Sequence, residues 1–84
     1  MADGWLNLVK ALVRRLKPAK LKAMTDVGVQ TWRDWAKGKP PGTRLLRKAA
    51  DAFSEKIGQE VKTDQLLIGL AALPYRFLDR LEGL

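Results

Sequence analysis

Proline and glycine cut this chain at short intervals. Pro18, Gly28, Gly38, the Lys39-Pro40-Pro41-Gly42 run, Gly58 and Pro74 each interrupt a regular helix or mark its end. Within the pieces between them, apolar residues recur three and four positions apart, and none alternates over strand length. The pattern predicts an all-α fold of five short helices with a C-terminal helical tail.

Asp3 is placed to cap a first helix, in which Trp5, Leu8, Val9, Leu12, Val13 and Leu16 follow the helical period. Pro18 stops that helix and suits the first turn of a second. This one is short, carries Leu21 and Met24, and ends near Thr25-Asp26. Asp26 tolerates the left-handed backbone of a tight turn. Gly28 then serves as the N-cap of a third helix over residues 29–37, closed by Gly38. Thr43 caps a fourth helix, with Leu46, Ala49, Ala50 and Phe53 on its inner face and Gly58 at its end. Val61 packs back onto the core. Thr63-Asp64 starts a fifth helix through Leu66, Leu67, Leu70 and Leu73. Beyond Pro74, Tyr75, Leu78 and Leu81 share one face of the tail.

Eighty-four residues make one domain at most. The chain has no cysteine, which removes disulfides and thiolate metal sites, and no histidine, the commonest general base. No paired constellation of carboxylates, lysines or hydroxyls replaces them. The expectation is a protein that is no enzyme and takes no cofactor or small-molecule substrate. No uncharged apolar run is long enough to span a membrane. Lys10, Arg14 and Arg15 break the apolar run that a secretory signal would need, so a cytoplasmic location is expected. Residues 5–22 are amphipathic enough to lie on a membrane surface, but a small helical domain must bury that same apolar stripe.

Charge is divided unevenly. Residues 1–48 hold twelve basic and three acidic side chains, net +9, whereas residues 49–84 hold four and six, net −2. A basic half suits a polyanionic partner, and the second half has a different task. The plainer alternative is a solubilising surface.

Two short helices joined by a tight turn, the second ended by glycine, describe a helix-turn-helix. The run "DVGVQTWRDWAKGKPPGTRLLRKAADAF" resembles the lambda-repressor-like family, the Cro and phage-repressor class of DNA-binding domains. In that pattern a turn residue precedes an apolar residue and a small cap. An apolar core position, an aromatic and a glycine follow. Asp26, Val27, Gly28, Trp32, Trp35 and Gly38 occupy those places in order, and "LLRKAADAF" matches the family's fourth helix. The similarity spans about residues 19–56. The family has a small residue where Lys22 stands and usually glycine where Asp26 stands.

The resemblance makes Trp32 the buried residue of a recognition helix, with Trp35 on its flank; stacking on a ligand is the alternative for this pair. It also places Val29, Gln30 and Asp34, with Arg33 between them, at base-reading positions in the major groove of double-stranded DNA. Gln30 can pair with adenine, Arg33 with guanine or a phosphate, and Asp34 with cytosine; Val29 can meet a thymine methyl. Asp34 can instead pair with Lys37 or Arg33 and touch no base. Lys37, Lys39 and Arg44 flank the following loop, Thr43 opens the fourth helix, and Lys20 and Lys22 border the second. These six are the expected phosphate contacts.

Residues 1–63 therefore read as a helix-turn-helix core, and residues 64–84 as C-terminal helices of the same domain. The large apolar residues of this last part exceed what one small core holds, so Leu73, Tyr75, Phe77, Leu78 and Leu81 are expected to join two copies as a homodimer. A tail packed on its own monomer is the alternative. The functional expectation is a dimeric, sequence-specific DNA-binding repressor of a phage, plasmid or bacterial operon. A small inhibitor that binds another protein through the same fold is the second reading.

Overall fold

In the computed structural model, which describes residues 4–84, helix α1 (Gly4–Leu16) turns its apolar stripe inward and buries Trp5, Leu8, Val9, Leu12 and Leu16. The cap expected from Asp3 lies outside the described residues. At the corner, Lys17 takes a positive φ of 77°, and Pro18 opens α2 (Pro18–Thr25) with its ring in the first turn. Helix α3 (Val29–Ala36) follows after Asp26, Val27 and Gly28. Then come α4 (Thr43–Ile57), α5 (Thr63–Ile68), a 3-10 turn (Leu70–Ala72) and α6 (Phe77–Glu82). The described residues are all helix and connection, with no strand. None of these helices is long and apolar enough to cross a membrane.

Aromatic rings run through the core as a chain. Trp5 of α1 meets Trp35 edge-on at 5.2 Å, and Trp35 meets Trp32 at 5.0 Å. Trp32 lies 6.3 Å from Phe53 of α4, and Phe53 lies 5.4 Å from Phe77 of α6. The Trp32–Phe53 pair is tilted, and the other three are edge-to-face contacts, which add roughly 0.5–1.5 kcal/mol each to the burial of the rings. The indole N–H groups of Trp5 and Trp32 are buried with no hydrogen-bond acceptor. That costs about 1–3 kcal/mol each, and the large apolar area of the rings must outweigh it.

The fifth helix stops earlier than its leucine spacing predicts. It ends at Ile68 because Gly69 turns the chain with a φ of 111°. Here α1 and α5 touch backbone to backbone. A Cβ on Gly4 would lie 1.8 Å from the Ile68 carbonyl oxygen, and one on Gly69 would lie 2.7 Å from that of Gly4. Only glycine at both positions permits this approach.

The expectation for the tail needs correcting. Phe77, Leu78 and Leu81 are buried in the chain's own core, not displayed for a second copy, and Leu73 is half-buried beside them. Of the five residues assigned to a dimer contact, Tyr75 alone is fully exposed, at 85%. The turn through Pro74 brings α6 back across α1 and α4, which filled the core that the leucine count had seemed to exceed. Polar contacts hold it there. Arg15 of α1 pairs with both Asp79 and Glu82, and Lys20 donates to the Glu82 carbonyl at 3.2 Å. Arg80 donates to the Ile57 carbonyl at the end of α4, at 3.2 Å. The Arg15 guanidinium, with Arg76 beside it, holds the Asp79 carboxyl below its ordinary range.

Trp32→Ala should therefore lower stability by roughly 3–5 kcal/mol in urea unfolding. Leu81→Asp should abolish the cooperative melting transition, because it places a charge where no water reaches. A folded, merely monomeric Leu81→Asp protein would show that α6 is not part of the core.

Candidate nucleic-acid interface

The turn before α3 is built from its first residue. Asp26 adopts the left-handed conformation (φ 61°, ψ 20°) and donates its N–H to the Lys22 carbonyl at 2.7 Å, closing α2. Its side chain pairs with Lys48 of α4 at 3.1 Å, and that lysine lowers the Asp26 pKa. The buried Thr25 hydroxyl donates to the Leu21 carbonyl at 2.7 Å and accepts the Val27 N–H at 3.2 Å. Val27 is fully buried, so the middle of the turn is pinned to the core. Gly28, extended at φ −60° and ψ 152°, then starts α3.

Helix α3 has two unlike sides. Trp32 and Trp35 are buried, whereas Gln30 and Arg33 are exposed and Val29 and Asp34 are half-buried. The Gln30 amide donates to the Asp34 carboxylate at 3.0 Å, so Asp34 pairs with neither Lys37 nor Arg33. Both tryptophans lie inside and neither can stack on a ligand without opening the core.

Beyond α3 the chain stays at the surface. Gly38 (φ 105°) turns it, with the Gly38 N–H bonded to the Trp35 carbonyl at 3.0 Å and the Lys39 N–H to that of Asp34 at 3.1 Å. This pair of hydrogen bonds is the glycine-ended cap that terminates many helices. Lys37, Lys39, Thr43 and Arg44 are all exposed along this stretch. Thr43 does not cap α4 as its sequence suggests. Gly42 holds the cap position and no side chain bonds the first N–H groups of the helix, which leaves them open to an anion.

Of the two basic residues expected on α2, Lys22 is exposed, and so its bulk displaces nothing. Lys20 is half-buried and already bonded to α6, which makes it the weakest of the six candidates. Arg47 was missed. It is exposed on α4 one turn after Arg44, and the three-residue spacing was the available signal. Residues 22–48 carry seven basic and two acidic side chains, net +5, and both acids have partners. Among the described residues no cluster of acidic side chains could hold a metal ion.

Gly38→Ala should cost about 1–2 kcal/mol of stability, since a Cβ there meets open space but an unfavourable φ. Thermal melting of the variant checks it, and an unchanged transition would contradict the strain. Comparison with known proteins gives no match to this chain from any protein-family model, any curated protein or any solved structure.

Proposed function

We propose that this protein is a sequence-specific DNA-binding regulator, with α2, the Asp26–Gly28 turn and α3 acting as a lambda-repressor-like helix-turn-helix. The observation that carries the reading is the division of α3. Its tryptophans anchor it, its outward side offers Gln30 and Arg33, and an exposed basic loop from Lys37 to Arg44 follows directly. Side chains on such a helix reach base edges in the major groove, while the flanking cations and the open N-terminus of α4 meet phosphates. Repression, by occupying the site, is the simplest mode for a helix-turn-helix of this kind.

Two copies per site fit this reading better than one, because a single short helix reads few base pairs. The contact we assign differs from the one the sequence suggests. Leu67, Ile68, Leu70 and Tyr75 are the large apolar side chains left exposed around the end of α5 and the following turn, with Leu84 at the chain's end. They belong to the half of the sequence with net charge −2, so pairing there keeps the strongly basic halves of two copies apart. The same exposed group is what an inhibitor of another protein would use, and DNA binding separates the two readings.

Lys39→Ala and Arg44→Ala should each weaken binding to every duplex and flatten the salt dependence by about one unit. Gln30→Ala and Arg33→Ala should cost roughly 1–3 kcal/mol at the preferred site and less on random duplex. Fluorescence anisotropy across a salt series measures both. A wild-type protein with no affinity for duplex DNA at low salt would overturn the reading in favour of a protein partner.

Ile68→Asp should leave the fold intact, since Ile68 is 63% exposed, and should convert a dimer to a monomer in sedimentation. Binding to paired half-sites about 10 base pairs apart should fall, and binding to a single half-site should hold. A wild-type protein monomeric at high concentration and indifferent to half-site spacing would remove the dimer from the proposal.

A further inference from the structure

The outward side of α3 contains one hydrogen bond whose chemistry narrows what it could recognise, and the inference from it rests on the DNA-binding reading. Gln30 Nε2 donates to Asp34 Oδ1 at 3.0 Å, across one helical turn. A glutamine amide has two N–H donors and one carbonyl acceptor. The bond to Asp34 uses one donor. It also disfavours the flipped amide, which would set Oε1 against a carboxylate oxygen. What Gln30 retains is a single N–H and its Oε1.

Asp34 is itself held firmly. Its backbone oxygen accepts from the N–H groups of Lys37 and Lys39, both at 3.1 Å, within the cap that Gly38 makes possible. Its neighbour Trp35 is locked in the core. Asp34 as a residue is half-buried and Gln30 exposed, and the bond between them lies at the surface. Gln30 is thus bonded to a partner whose backbone is fixed.

We propose that Asp34 is a positioning residue that sets Gln30 to read adenine and to reject guanine. Adenine shows the major groove an acceptor at N7 and a donor at its N6 amino group. One N–H and one Oε1 complement that pair. Guanine shows two acceptors, N7 and O6, and requires two donors. Gln30 has one left to give, and the Asp34 carboxylate adds a negative acceptor close by. A free glutamine could turn both N–H groups toward guanine; this one cannot without breaking its bond to Asp34.

The test is selection from duplexes randomised across the half-site, using wild type, Asp34→Ala, Asp34→Asn, Gln30→Ala and the Gln30→Ala, Asp34→Ala double variant. Each is first shown to melt like the wild type. Wild type should prefer adenine to guanine at one position by about tenfold or more, the scale of a good bidentate contact. Asp34→Ala should lose most of that preference while binding random duplex no more weakly. Asp34→Asn, which keeps a carbonyl acceptor for Gln30, should retain most of it. Gln30→Ala should abolish the preference, and adding Asp34→Ala should change nothing further, as expected for two residues acting as one unit.

An Asp34→Ala protein with the wild-type preference would overturn the proposal, as would independent, multiplying effects of the two substitutions. Selection of guanine by the wild type would do the same while leaving DNA binding in place. A wild type that binds no duplex would overturn the DNA-binding reading and this inference with it.

Discussion

The burial of Trp32 is the constraint from which the rest of this structure follows. Its ring is fully enclosed and reaches Trp35 on its own helix and Phe53 on α4, while Trp35 continues to Trp5 on α1. Two helices, α1 and α4, are thereby fixed about one side of α3. An eight-residue helix has little stability alone, because nucleation costs more than so few turns return. Tertiary packing must supply the difference, and here two indoles supply it. With the inner side anchored that strongly, the outer side is free to carry polar residues chosen for something other than folding.

Much of the architecture was legible because local signals and core packing agree. Pro18, Gly28, Gly38 and Gly58 end or begin helices where their backbone preferences say they should. The Asp26 left-handed turn, the inward tryptophans and the inward face of α4 follow from the same logic. Disagreement came where long-range contacts decide. Nothing near Gly69 in sequence announces that it will press against Gly4, sixty-five positions earlier, and so the early end of α5 could not be read. Counting leucines likewise failed for the tail, since the space that Phe77, Leu78 and Leu81 fill exists only once α1 and α4 are in place. On α3, helical spacing was enough to put the tryptophans inside and Gln30 and Arg33 outside. The Gln30–Asp34 bond and the diversion of Lys20 to α6 depend on side-chain positions that a sequence does not specify.

The tail redistributes charge as well as apolar surface. Arg15 is neutralised by Asp79 and Glu82, and Lys20 caps the end of α6. These exposed ion pairs add little stability individually. Their larger effect is to engage Arg15 and Lys20, while Lys10, Arg14, Lys17 and Lys22 stay exposed on and between α1 and α2, alongside the cations of α3, its following loop and the start of α4. A domain with net charge +7 could attract nucleic acid from any side. Here the acidic tail engages only part of that charge, and exposed cations remain on α1, on α2 and along the stretch from α3 to the start of α4.

The placement of the aromatic residues also decides what the protein's ultraviolet signals report. All three tryptophans sit in one buried cluster, with neighbouring rings 5.0 and 5.2 Å apart and nearly perpendicular. Indole emission therefore originates in the core, where the rings are largely shielded from a solvent-borne quencher. The one tyrosine, Tyr75, stands at the surface on the turn before α6. Excitation at the red edge, where indole absorbs and phenol does not, senses only whether the centre is whole.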